Sequence, residues 1–172
     1  MKNIQKRMKL FYLAVSLALI LSACENSSYN DRSLILSNED SYTYQKCADT
    51  GSTDTSLKRE FQEFNGKDTI WMLDAAEDAS ISLKLSANLS SGKFKVLLVS
   101  EDNSITTLLE GDNAQNTFVD LENGTARIIL VGDHANGSCE IILSEVNNVS
   151  VALPSGGLDS EEWINDFFDD WM

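Results

Sequence analysis

The chain has 172 residues, with 13 Lys and Arg against 27 Asp and Glu, and a formal net charge of −14. That length suits a single domain with a real core. The charge repels polyanions, which argues against DNA or RNA as a partner.

The first nine residues, "MKNIQKRMK", carry Lys2, Lys6, Arg7 and Lys9 and no acid, and "LFYLAVSLALIL" follows from Leu10 to Leu21. A basic start and a short apolar run make an export signal. The run is shorter than the ~20 residues that a membrane-crossing helix requires. It ends in "LSAC", Leu21 to Cys24.

This stretch resembles the lipobox of bacterial lipoproteins. The resemblance implies cleavage after Ala23, so that residues 1–23 are a signal peptide, and a diacylglyceryl group in thioether linkage on Cys24. It implies an extracytoplasmic protein, lipid-anchored to the bacterial membrane at the cell surface. Two acyl chains hold a protein there stably where one holds it only marginally. The leader takes four of the 13 cations and no acid with it, so nine against 27 leave −18 on the mature part.

Residues 24–40 read as a tether, interrupted by the apolar Leu34–Leu36. From Tyr42 the period is that of strands. "SYTYQKC" alternates, with Tyr42 and Tyr44 on one face and Thr43, Gln45 and Cys47 on the other. "LKREFQEF" (57–64) fits a strand better than a helix, and "TIWML" (69–73) is a buried strand. "SISLKLS" (80–86) puts Ile81, Leu83 and Leu85 inward. "KFKVLLV", "SITTLL", "TFVDL", "ARIILV" and "SCEIIL" follow between residues 93 and 143. Turn residues separate them: "SEDN" (100–103), "ENG" (122–124) and "DHANG" (133–137). Asn123-Gly124 is a strong hairpin signal, because both residues tolerate positive φ.

Eight or nine short strands predict an all-β fold, a single antiparallel β-sandwich or jelly-roll-like domain over 41–147. The meander resembles the small sandwich modules appended to bacterial surface proteins, carbohydrate-binding ones included. Residues 148–158 read as a linker. "GLDSEEWINDFFDDWM" then places Trp163, Ile164, Phe167, Phe168 and Trp171 on one helical face, with the acids around the rest. The expectation is a short C-terminal amphipathic helix over 159–172, capped by Asp159 with Glu162 three residues on. It docks either on its own sandwich or, through those aromatics, on a protein partner.

Candidate chemistry is sparse. The single histidine, His134, with Asp133 beside it, reads as a turn residue rather than a general base. Acidic loops at 74–78, 100–103 and 110–113 bring structural calcium into consideration as the one cofactor, but none follows an ordered calcium-loop pattern. Cys139 reads as a buried thiol, on the opposite parity from Cys47, which argues against a bridge between them. Trp71 is the aromatic most suited to stack on a sugar, although "IWML" favours the core. No phosphate loop, nucleophile elbow or dinucleotide fingerprint is present. The expected function is a non-catalytic binding or protein-interaction module, held to the membrane through Cys24, with an envelope protein or glycan as partner. A carbohydrate-binding module and an envelope enzyme are the alternatives.

Overall fold

The computed structural model describes residues 28–144 and 148–154. The expected signal peptide, Cys24, the expected C-terminal helix and its five apolar residues lie outside them. A 3-10 turn (Ser28–Asn30) and a short helix α1 (Arg32–Leu36) lead into eight strands among the described residues. These are β1 (Ser41–Thr43), β2 (Lys46–Asp49), β3 (Ser56–Ala75), β4 (Ala79–Ser100), β5 (Ile105–Glu110), β6 (Ala114–Leu121), β7 (Gly124–Ser144) and β8 (Val149–Ala152). All pairings are antiparallel.

The length of three strands is the main departure from the expected string of short ones. β3, β4 and β7 run 20, 22 and 21 residues and lie side by side in the order β3-β7-β4. The expected strands 57–64 and 69–73 are two halves of β3. Those at 80–86 and 93–99 are halves of β4, and those at 126–131 and 138–143 are halves of β7.

Each long strand bends at the same level. The register slips between Phe61 and Gly66 in β3 and between Leu89 and Lys93 in β4. Glu63 and His134 take left-handed backbone at φ 51° and 49°, and Gly66 and Gly92 lie at 101° and 80°. Extra residues and left-handed conformations are what turn a strand through a corner. A Cβ on Gly92 would sit 2.1 Å from the His134 carbonyl oxygen, and one on Gly66 2.0 Å from that of Ser41. Only glycine lets the bent strands nest.

The folded sheet thus closes on itself as two layers. Layer one holds β2, the first half of β3, the second half of β7, the first half of β4, and β6. Layer two holds β1, β8, β5 and the remaining halves. "DHANG" is therefore not a hairpin turn but the corner of β7, with the ladder continuing on both sides. Asn123-Gly124 is not a hairpin either, because β6 pairs with β4 and not with β7. It carries the chain from one layer to the other, beside the 76–78 turn that does the same. The Asn123 side chain donates to the Ala76 carbonyl at 2.8 Å, tying the two crossings.

Between the layers, Ile81, Leu83, Leu85, Ile141 and Leu143 meet Leu73, Val96, Leu98, Ile128 and Leu130. The corner is filled by aromatic rings. Tyr44 stacks on Phe64 at 4.5 Å between centroids, and Phe61 on Phe94 at 5.1 Å. Such pairs add ~0.5–1.5 kcal/mol each beyond the burial of their area. Arg59 of layer one points inward and ties the layers electrostatically. Its guanidinium donates to Asp68 of layer two at 2.5 Å and to both oxygens of Asp49 at 2.5 and 2.9 Å. Tyr44 donates to the same Asp68 at 2.9 Å. Burial pushes the Asp68 carboxyl up from the usual range, against the pull of Arg59.

The outer face of layer two is also covered. Tyr29 and Ile35 pack on Leu97, Val99, Ile129 and Val131, and Asp31 caps α1 through the Ser33 and Leu34 amides. Most of the stretch expected as tether is therefore part of the body from Ser28 onward. Its apolar Leu34–Leu36 "interruption" is what seats it.

Candidate functional site

Trp71 is 1% exposed, sealed in the core opposite Ile128, and has no face to offer a sugar. Among the described residues the most exposed Phe, Tyr or Trp ring is that of Phe118 of β6, 70% exposed, with Tyr42 at 38%. Phe118 lies across from Ser82 on the outer face of layer one.

Apart from Phe118 and Ile142, that outer face is mostly polar. Read across β3, β7 and β4, its rows are Glu60–Ser138–Asn88, Lys58–Glu140–Ser86 and Ser56–Ile142–Lys84. Where it meets the corner it sinks into a cleft of about 450 Å³. Lys46, Glu60, Gln62, Asn88 and Ser138 line it, closed at the back by Asn136 and Gly137. The side chains of those first five make no hydrogen bond or ion pair with other described residues. An ammonium, a carboxylate, two amides and a hydroxyl thus converge on one hollow with their bonding capacity unspent. Four strands contribute, so only their register brings these residues together.

The corner behind the cleft is a closed polar network. His134 Nδ1 and Glu63 Oε2 are 2.9 Å apart. The Asn136 amide donates to Glu63 Oε1 at 3.1 Å, to Ser91 Oγ at 3.0 Å and to the His134 carbonyl at 2.9 Å. Its oxygen accepts the Glu63 backbone N–H at 3.1 Å. The His134 backbone N–H goes to Asn65 Oδ1 at 2.7 Å. These bonds satisfy the amides freed where the ladder breaks.

The hydrogen bond from His134 holds Glu63 below the usual carboxylate range, with Asn136 assisting. The Glu63 carboxylate in turn pushes His134 up from its ordinary value. The partner of His134 is thus Glu63, 71 residues away, and not the adjacent Asp133, whose carboxylate meets Lys93 at 3.3 Å. No hydroxyl or thiol among the described residues is hydrogen-bonded to the His134 ring. The pair is a tie across the bend.

The cysteines do not keep the expected opposite parity. Cys47 pairs with the core residue Phe61, so it lies on the same inward side of the sheet as Arg59 and Cys139, at an edge strand that leaves it exposed. Cys139 is buried, and burial pushes its thiol up to about 12. Cys139 stands opposite Arg59, whereas Cys47 stands opposite Phe61 on the far side of β3. Two strand spacings separate them, ~10 Å, which is beyond the reach of a disulfide.

The acidic loops use their carboxylates locally. Asp78 accepts the Asn123 amide, Glu101 that of Thr125, and Asp102 that of Ser104. Among the described residues no three His, Cys, Asp or Glu side chains are grouped to hold a metal ion.

No family model matches this chain, and neither does any curated protein. Among solved structures it is similar to a family 35 carbohydrate binding module from an environmental isolate. That pair shares 20% identity over 66% of this chain and 82% of the other, at a TM-score of 0.33. It is also similar to Xyl-CBM35 in complex with a glucuronic acid containing disaccharide, with 14% identity over 67% and 83% and a TM-score of 0.35. A third is TmCBM61 in complex with beta-1,4-galactotriose, with 10% identity over 76% and 97% and a TM-score of 0.31. Superpositions of that quality transfer no ligand to this chain, and the site stands on its own residues.

Proposed function

We propose that this chain is an extracytoplasmic lipoprotein, held to the bacterial membrane through Cys24, whose sandwich is a non-catalytic binding module for an envelope glycan. One observation carries the binding reading: five side chains with free donors and acceptors converge in one open cleft. A hollow lined by amides, a hydroxyl and one charge of each sign suits a polyhydroxylated chain, which exchanges many hydrogen bonds with water for many with protein. Phe118, on the same sheet face, offers a ring edge and face to whatever lies along it. The anchor rests on "LSAC" and the basic–apolar leader before it. The acidic–aromatic segment 159–172 is where a protein partner would be held.

The test uses the mature protein on immobilised envelope polysaccharide, with the double variant Gln62→Ala/Asn88→Ala. Both residues are exposed, so the melting temperature stays unchanged. Losing two ligand hydrogen bonds weakens retention about tenfold. Mature protein that the polysaccharide does not retain, or a double variant retained as well as the parent, overturns the glycan reading.

A further inference from the structure

Three cations of an acidic chain converge on the segment that follows the leader. Lys67 is fully buried, and its ammonium donates to the Ser37 carbonyl at 2.7 Å and lies 3.4 Å from Asp40. Arg127 forks onto the Leu36 and Ser37 carbonyls at 3.1 and 2.6 Å, capping the C-terminal end of α1. Lys95 reaches Asn30 Oδ1 at 3.1 Å and lies 4.1 Å over the Tyr29 ring. Beneath these polar clasps lie the apolar contacts of Tyr29 and Ile35. All three cations belong to the outer face of layer two. The chain that emerges from the leader is therefore clamped to that face, starting at Ser28.

Counting back from Ser28 leaves four residues to Cys24. At ~3.5 Å each, their greatest reach is ~14 Å. The two sheets alone are ~10 Å apart, before side chains and the covering segment are added. A body on so short a leash cannot turn its far side to the surface that holds it.

We propose that the anchor fixes this domain's orientation: the outer face of layer two, with residues 28–40, lies against the lipid surface. Layer one, with the cleft and Phe118, faces away from the bilayer. This rests on the anchored reading of Cys24. The acidic body, repelled by anionic lipid, is kept near it by a leash too short to let it withdraw. The Ser28–Asp40 clamp is the spacer, and its grip decides which face meets the periphery.

The lipidated full-length protein, in vesicles of phosphatidylcholine and phosphatidylglycerol carrying an acceptor lipid, tests this by energy transfer. Donors go on Asn38→Cys, beside the clamp, and on Asn116→Cys, on the outer face of layer one, each in a Cys47→Ser background. Both positions are exposed, and Cys139 is too buried to label. Transfer from position 38 should exceed that from position 116 several-fold. Inserting about 20 Gly/Ser residues between Glu25 and Asn26 lengthens the leash by ~25 Å and should level the two. Equal transfer from both positions on lipidated protein, or a difference the insertion leaves unchanged, overturns the orientation alone. Protein recovered free of membrane with the Cys24 sulfur unmodified overturns the anchored reading, and the orientation with it.

Discussion

His134 shows how little a residue's sequence neighbours say about its chemistry. Its left-handed backbone is part of a corner, and its imidazole is held by a glutamate from another strand. The pair defines a pH window. His134 is raised by Glu63, so its share of the stability is complete below an unfolded histidine's pKa of ~6.5 and is lost as pH rises through its folded value. Glu63 is lowered, so its share is present above an unfolded glutamate's pKa of ~4.3 and is lost as pH falls through its folded value. The tie therefore contributes fully between the two unfolded values, ~4.3 and ~6.5, and fades outside them toward the folded values. Because the chain has one histidine, an NMR titration follows it without ambiguity. It should titrate above the ordinary value, and Glu63→Gln should bring it down. A titration that the substitution leaves in place would show that Glu63 does not hold the ring.

At the level of elements, the bends decide the architecture. Gly92→Ala places a methyl group against the backbone of β7 in a conformation that disfavours side chains. No flexible group can move aside, so the loss should exceed ~2 kcal/mol in urea unfolding. Gly111, also at positive φ but with open space around it, is the control and should cost less. The strand halves were legible in the sequence, since "SISLKLS" and its fellows alternate as half-buried strands do. The corners were not, because "ANLSSG" and "DHANG" use the residues that turns use. Left-handed backbone closes a hairpin and bends a continuous strand alike, and only pairing on both sides tells them apart. The cleft was illegible for a related reason. Lys46, Gln62, Asn88 and Ser138 carry no mutual spacing, and strand register alone gathers them. Trp71 was a core residue on its apolar surroundings, whereas Phe118 in "TFVDL" gave no sign that it points outward.

At the scale of the molecule, the same three strands build both layers, so neither layer has an independent backbone. Leu83→Ala in layer one and Leu130→Ala in layer two remove fully buried side chains, at a cost of about 2–5 kcal/mol each. Each should shift the circular dichroism and tryptophan fluorescence transitions together. Separate transitions after either substitution would show that the layers unfold one at a time. The pairings of β7 with β3 and β4, and of β6 with β4, join residues distant in sequence, so folding should be slow for a domain of this size.

The flanks of the sheet have a consequence of their own. On one side the long ladder ends in β1, β2 and β8, and on the other in β5 and β6, each three to eight residues long. Broken borders of this kind offer a visiting chain no continuous template. Copies gathered side by side at high density can therefore stay separate molecules instead of knitting into fibrils.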